Sequence, residues 1–305
     1  MSTIATIDVT EGSRAVAGAV PRPRRSWAWL GLVPFVVFLA LFLILPAVGV
    51  INRGLHTASG SWSLRPLGDA LSKERKSFVN SLRLSLLTAA VGALFGTLLA
   101  YAAATAKRPK WLRSLVTSFS GVAANMGGVV LAFAFVSLLG AQGLGTRLLK
   151  EAGWDLYGNG FKLNQFGGYS PGISTVYLYF QIPLMVLVTL PAIDGLKQSW
   201  REASSNLGGN TFTYWRRVGL PVLAPSMLGG FLLLFANAFS AFATAYALNN
   251  QANLTPVKIS FFLQGDNSSG KSPMPYALST WMILIMLVSM AGYLLLRKRA
   301  ERWRT

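Results

Sequence analysis

The stretch ISTVYLYFQIPLMVLVTLPAI, residues 173–193, runs directly into DGLKQSWREASSNLGGNTFTYWRRVGLP, residues 194–221, and the two halves have opposite chemistry. The first has no Asp, Glu, Lys, Arg or His in 21 positions. About 20 apolar residues in a helix cross the roughly 30 Å hydrocarbon core of a bilayer, and there only a helix satisfies its own backbone polar groups. The second half is polar, with four basic residues, and belongs in water. Five more charge-free runs, 28–50, 84–106, 115–139, 222–248 and 276–296, repeat the apolar pattern at lengths of 21 to 27. The chain is therefore read as all-α, a polytopic membrane protein with six transmembrane helices.

Composition agrees with this. Of 305 residues 52% are hydrophobic and 12% charged, against about 25% charged in ordinary soluble domains, and the mean hydropathy is +0.46. A net charge of +18 would suit a phosphate backbone if it were clustered on a soluble face. Its distribution follows the membrane instead. The termini and the connections on their side carry 17 Lys and Arg, those on the other side 10, so the positive-inside bias predicts both termini in the cytoplasm. The clusters Arg22, Arg24, Arg25 and Arg297, Lys298, Arg299 would then meet anionic headgroups, and no nucleic acid partner is expected. The absence of cysteine excludes disulfides, thiolate metal sites and cysteine nucleophiles. A single histidine, His56, leaves little for histidine acid-base or metal chemistry. Residues 1–26 read as a flexible cytoplasmic tail. The first run, at 23 residues with no A-x-A site after it, reads as a span rather than a cleaved signal.

Residues 265–272, from Gly265 to Ser272, spell G-x-x-x-x-G-K-S. A phosphate loop needs a following helix whose amides face the nucleotide. Here Pro273 and Pro275 follow, then a span, and the stretch reads as a polar turn.

The loop 194–221 has a pattern of its own. Leu196, Trp200, Ala203 and Leu207 recur at helical spacing on one face, with Glu202, Ser205 and Asn206 turned elsewhere. Gly208 and Gly209 are placed to end that helix in a left-handed cap. Asn210 or Thr211 is placed to cap a second short helix, with Phe212 and Trp215 on one face, before Leu220 and Pro221 enter the membrane. Two short helices meeting at a glycine corner form a knob suited to a socket on a soluble partner.

Glu202, Ala203, Gly208, Val218, Leu220 and Pro221 read E-A-x4-G-x9-V-x-L-P. This resembles the EAA loop of inner-membrane permease subunits of binding-protein-dependent ABC importers of type I, with Ser204 where the family usually has alanine. The resemblance runs from about Asn80 to Tyr293. It implies a type I ABC importer permease fold, organised as a tail (1–26), a first transmembrane helix with an external loop (27–78), a core of five helices (79–296) containing the coupling loop 194–221, and a basic tail (297–305). It implies that Glu202, Ala203, Leu207, Gly208, Val218, Leu220 and Pro221 couple to a cytosolic ABC ATPase dimer. ATP and Mg would be bound by that partner, with no cofactor in this chain and no catalysis by it. A second permease subunit (sister or self), an extracytoplasmic solute-binding protein and the lipid of a bacterial inner membrane complete the implied assembly. On this reading Glu202 supplies an ion pair or a helix cap, and Arg216 and Arg217 pair with it or with the partner.

No Asp, Glu, Lys, Arg or His lies inside a span, so a proton relay or ion-coupled pump has nothing to work with. A nucleotide-independent secondary transporter or a membrane scaffold is the rival class. Asn125, Gln181, Asn237, Ser240 and Thr244 are polar within the spans; each faces either the solute path or a neighbouring helix. Gly92 and Gly96 form a GxxxG pair, read as packing within one subunit. Pro225, Gly229 and Gly230 suggest a bend near the coupling loop. Gln181-Ile-Pro-Leu184 and the run 239–248 are similar to the polyamine, ferric iron, thiamine and phosphonate permeases. A polyamine solute is favoured within that group, with an anionic one such as an aminoalkylphosphonate as the alternative, since the external loops carry 10 basic and 5 acidic residues.

Overall fold

A computed structural model of the chain describes residues 31–106, 110–163, 170–249, 252–265 and 272–301. The tail 1–26, with its arginine cluster, and positions 266–271 of the phosphate-loop lookalike lie outside them. The chain divides into two units, residues 1–48 and 49–305. Of the first, the described part is the start of helix α1 (Val33–Gly54), in which no residue up to Val48 is buried.

In the second unit the elements follow as α2 (Arg65–Lys73), α3 (Arg75–Thr105), α4 (Lys110–Asn125), α5 (Gly128–Leu139), α6 (Leu144–Glu151), α7 (Pro171–Asp194), α8 (Gln198–Asn206), α9 (Thr211–Tyr214), α10 (Leu220–Ser240), α11 (Ala243–Leu248), α12 (Thr255–Gln264) and α13 (Met274–Glu301). Among the described residues there is no β-strand. Six helical stretches are long and apolar enough to cross a membrane: Val33–Gly54, Arg75–Thr105, Gly128–Glu151, Pro171–Asp194, Thr211–Ser240 and Met274–Leu296.

Two of the runs read as continuous spans are broken. Run 115–139 is interrupted at Met126–Gly127, where Gly127 is extended and Gly128 turns to φ +75°. Run 222–248 is interrupted at Ala241–Phe242, where Ala241 leaves the helix at ψ 96°. Residues 49–78, grouped in the sequence with the first span, pack on the core: the Trp281 indole of α13 donates to the Leu67 carbonyl of α2 at 3.0 Å.

The core is a face-to-face contact of α3 and α7, flanked by α10 and then α13. Gly92 and Gly96 let α7 approach: a Cβ on Gly96 would stand 2.7 Å from the Ile182 carbonyl and strike the Met185 side chain, and one on Gly92 would lie 3.1 Å from Gln181 Cβ. The GxxxG pair thus packs helices of one chain. Gly229 and Gly230 also serve packing rather than bending: a Cβ on Gly230 would lie 2.6 Å from Met185 Sδ and one on Gly229 3.1 Å from the Tyr293 ring. The helix runs unbroken through Pro225 from Leu220 to Ser240. Its irregular points are a widened π turn at Trp215–Gly219 just before it and the break at 241–242 just after it.

Candidate coupling elbow and helix breaks

Helix α7 ends at Asp194, whose carboxylate accepts from the Arg113 guanidinium of α4 at 2.6 Å. The pair is about half exposed, worth roughly 0–1 kcal/mol, and ties the base of the loop to a neighbouring helix. Leu196 packs back into the core beside Ala100 and Val186. It therefore leaves the face on which the sequence placed it with Trp200, Ala203 and Leu207, because α8 starts only at Gln198.

The end of α8 is a Schellman motif. Gly209 N donates to Ser204 O at 2.8 Å, Gly208 N to Ser205 O at 2.9 Å, and Gly208 sits at φ +75°. These bonds satisfy carbonyls that a helix end leaves without partners. One residue on, the Asn210 side chain caps α9, accepting from Thr213 N at 2.8 Å and from the Thr213 hydroxyl at 2.9 Å. The two arms therefore meet at a corner fixed on both sides by hydrogen bonds. Between them lies a groove of about 480 Å³, lined by Trp200, Ala203 and Leu207 on one arm and Thr213, Arg217 and Val218 on the other.

Leu207 stands at the tip, 87% exposed, and Phe212 is 70% exposed. Their surroundings, Arg201, Glu202, Ser205, Asn206, Asn210 and Thr211, are polar and exposed. Leu207 and Phe212 are thus apolar side chains held out in polar company. Phe212 does not share a face with Trp215: the turn widens after Tyr214, and the Trp215 ring packs edge-on against Tyr101 at 5.1 Å, lying across Gly219. Glu202 accepts from Gln198 Nε2 at 3.0 Å. Among the described residues it forms no ion pair with Arg216 or Arg217. Pro221 stands in the first turn of α10, directly after the widened turn Trp215–Gly219.

The second place of interest is the pair of breaks. Gly128 N donates to Thr244 Oγ1 at 2.9 Å, joining the start of α5 to α11 across 116 residues. Helix α7 holds both breaks. The Tyr177 hydroxyl donates to the Ala241 carbonyl at 3.0 Å, and the Tyr179 hydroxyl reaches Met126 Sδ at 3.9 Å. Two residues apart on a helix of 3.6 per turn, these side chains leave in nearly opposite directions, so one helix serves both. Tyr177, Tyr179 and Gly128 were not singled out from the sequence; the Gly127–Gly128 pair inside an apolar run was the available signal.

The five polar residues separate into two groups. Thr244 is the buried clasp of the breaks. Asn125, Asn237 and Ser240 are exposed on the segments that end there, with Asn125 Nδ2 donating to Gly121 O at 2.9 Å and Ser240 Oγ to Ala236 O at 2.9 Å. Gln181 is elsewhere. It is fully buried, its Nε2 donates to Thr88 Oγ1 at 3.0 Å, and it joins α7 to α3 instead of lining a path. No cluster of three or more His, Cys, Asp or Glu able to hold a metal occurs among the described residues.

Residues 92–302 match the family described as binding-protein-dependent transport system inner membrane component. The sulfate transport system permease protein CysW of Synechococcus elongatus is 24% identical over 270 residues, 88% of each chain. The spermidine/putrescine transport system permease protein PotB of Haemophilus influenzae is 31% identical over 126 residues, 41% of this chain and 44% of its own. Among solved structures, a bacterial ABC transporter that imports the acidic polysaccharide alginate superposes with a TM-score of 0.66 at 17% identity, covering 90% of this chain and 95% of the other.

Proposed function

This chain belongs to the family of binding-protein-dependent transport system inner membrane components, as a permease subunit of an ABC importer, and on that premise we propose that its elbow 198–214 docks a cytosolic ATPase dimer and that its solute is a small anion. The observation that carries the docking is Leu207, an apolar side chain 87% exposed at the tip of a rigid, polar corner. Glu202, Ala203, Gly208, Val218, Leu220 and Pro221 act in the same unit. Gly208 sets the angle, Ala203 and Val218 line the groove, Glu202 is braced by Gln198 for a partner's cation, and Leu220–Pro221 pass the movement into α10.

A partner shifts an equilibrium only by its different affinity for two states, so ATP-bound ATPase must prefer one arrangement of α10. The widened turn at Trp215–Gly219 and the break at Ala241–Phe242 are the points at which α10 is free to move as a rod. A second permease subunit completes the path, and an extracytoplasmic binding protein delivers the solute on the face opposite the elbow, with both termini cytoplasmic.

The chemistry of the breaks supports an anion. The start of α5 receives no cap from its own N-cap residue; the Gly128 amide is taken by Thr244 Oγ1, and the amides that follow it in the first turn, those of Val129 and Val130, are the ones offered to negative charge. Asn125, Asn237 and Ser240 offer neutral polar groups beside the breaks, and none of the six charge-free runs holds a carboxylate to meet a polycation. Similarity to a sulfate permease supports the same reading, while similarity to PotB keeps a polyamine as the second reading. Cells lacking this chain, with and without it restored, should be assayed side by side for uptake of labelled sulfate, an alkylphosphonate and spermidine. Restored uptake of either anion alone is the expected result. Restored spermidine uptake alone would replace the anion by a polyamine, and recovery without a functional ATPase would remove the coupling.

A further inference from the structure

We propose that the groove between α2, α3 and α13 holds one anionic phospholipid, with its phosphate on Arg75 and an acyl chain laid against Phe78, Leu82 and Ile285. The groove has a volume of about 530 Å³, and the buried Phe239 and half-buried Trp281 are among the residues that line it. Its lining changes character along α3. Ser72 and Arg75 stand at the mouth, at the end of α3 opposite the elbow, and the side chains that follow along α3 are Phe78, Val79 and Leu82. From Arg75 to Leu82 is about 10 Å at 1.5 Å per residue, so polar chemistry gives way to apolar over the distance at which a lipid changes from headgroup to chain.

The charge at the mouth fits. Among the described residues the Arg75 side chain makes no ion pair or hydrogen bond, and Lys76 beside it is also unpaired. The nearby acids are occupied: Asp69 faces Lys73 at 4.0 Å, and Glu74 accepts from the Ser77 hydroxyl at 3.3 Å. An unneutralised guanidinium above an apolar slot matches a phosphodiester carried on a hydrocarbon chain, since Arg pairs with phosphate through parallel charge-assisted hydrogen bonds. Trp281, whose indole is tied to the Leu67 carbonyl, places at this level the residue type enriched at membrane interfaces. Leu71 and Leu82, 42% and 40% exposed, leave the slot open sideways, as entry from a bilayer requires.

The test is native mass spectrometry of the full chain released from membranes, titrated with phosphatidylglycerol, with phosphatidylcholine of the same chains, and with inorganic phosphate. Preferential retention of one phosphatidylglycerol is expected. Arg75→Gln should lower that retention at least fivefold, toward the phosphatidylcholine level, and Leu82→Trp, which fills the slot, should lower both lipids, each variant melting as the parent does. Equal retention of the two lipids, indifference to both substitutions, or full displacement by phosphate alone would overturn the proposal. So would a groove found covered by a second permease subunit with no lipid in it. None of these readouts depends on which solute is carried.

Discussion

Gly208→Val should lower solute-stimulated ATP hydrolysis and uptake by roughly tenfold while the chain still inserts in the membrane. There is open space around Gly208, so the cause is not a clash: a Cβ there would meet nothing within 4 Å. The cause is φ +75°, a left-handed conformation that costs an ordinary L residue about 1–2 kcal/mol and a β-branched one more. Valine would relieve that strain by opening the Schellman corner. Leu207 would then swing away from the line on which α8 presents it, and the 480 Å³ groove between the arms would change shape. About 1.4 kcal/mol of lost docking is a factor of ten in binding. Gly208→Asn is the control. Asparagine enters the left-handed region with little penalty, so it should retain most of the activity; if both variants behaved alike, the conformation of Gly208 would not be what matters.

Gly96→Leu should have the larger effect on folding. Any side chain at Gly96 must enter the backbone of α7 at Ile182 and the side chain of Met185. No rotamer avoids this, since the obstruction begins at Cβ. Overpacking ordinarily costs about 1–3 kcal/mol. Here separating the helices also endangers the bond between Gln181 and Thr88, in a group whose Oε1 already lacks a partner among the described residues. A buried amide stripped of its remaining bond adds about 1–3 kcal/mol. The expected outcome is loss of detergent-stable protein, seen as aggregation in size-exclusion chromatography or a lowered melting temperature. Gly121→Leu, at a position with nothing within 4 Å, should leave stability unchanged.

The parts legible from the sequence were those in which local chemistry dictates local structure. Charge-free runs gave the spans because hydrocarbon tolerates nothing else. The helix of the loop, its glycine corner and the Asn210 cap were legible because helix ends must satisfy their own backbone groups. What escaped was decided between distant residues. The break at 241–242 has no Gly or Pro at all; it is held by Tyr177 of α7, which bonds the Ala241 carbonyl, and by Thr244 of α11, which bonds Gly128. Hydropathy cannot register a two-residue interruption. Polarity likewise marked Gln181 without saying which way it faces, and the answer lay in Gly92, which makes room for it against α3. The separation of Phe212 from Trp215 depended on a widened turn that only the contact with Tyr101 reveals.

Leu207 and its corner are expected to face the cytosol and to be gripped by the ATPase. Because the sequence contains no cysteine, Leu207→Cys would be the sole thiol of the chain. It can be labelled with a membrane-impermeant maleimide in vesicles of both orientations, with and without bound ATPase. Labelling is expected only where the cytoplasmic face is outward, with protection when the ATPase is present. Labelling of intact cells from the exterior, or a rate unchanged by the ATPase, would contradict it.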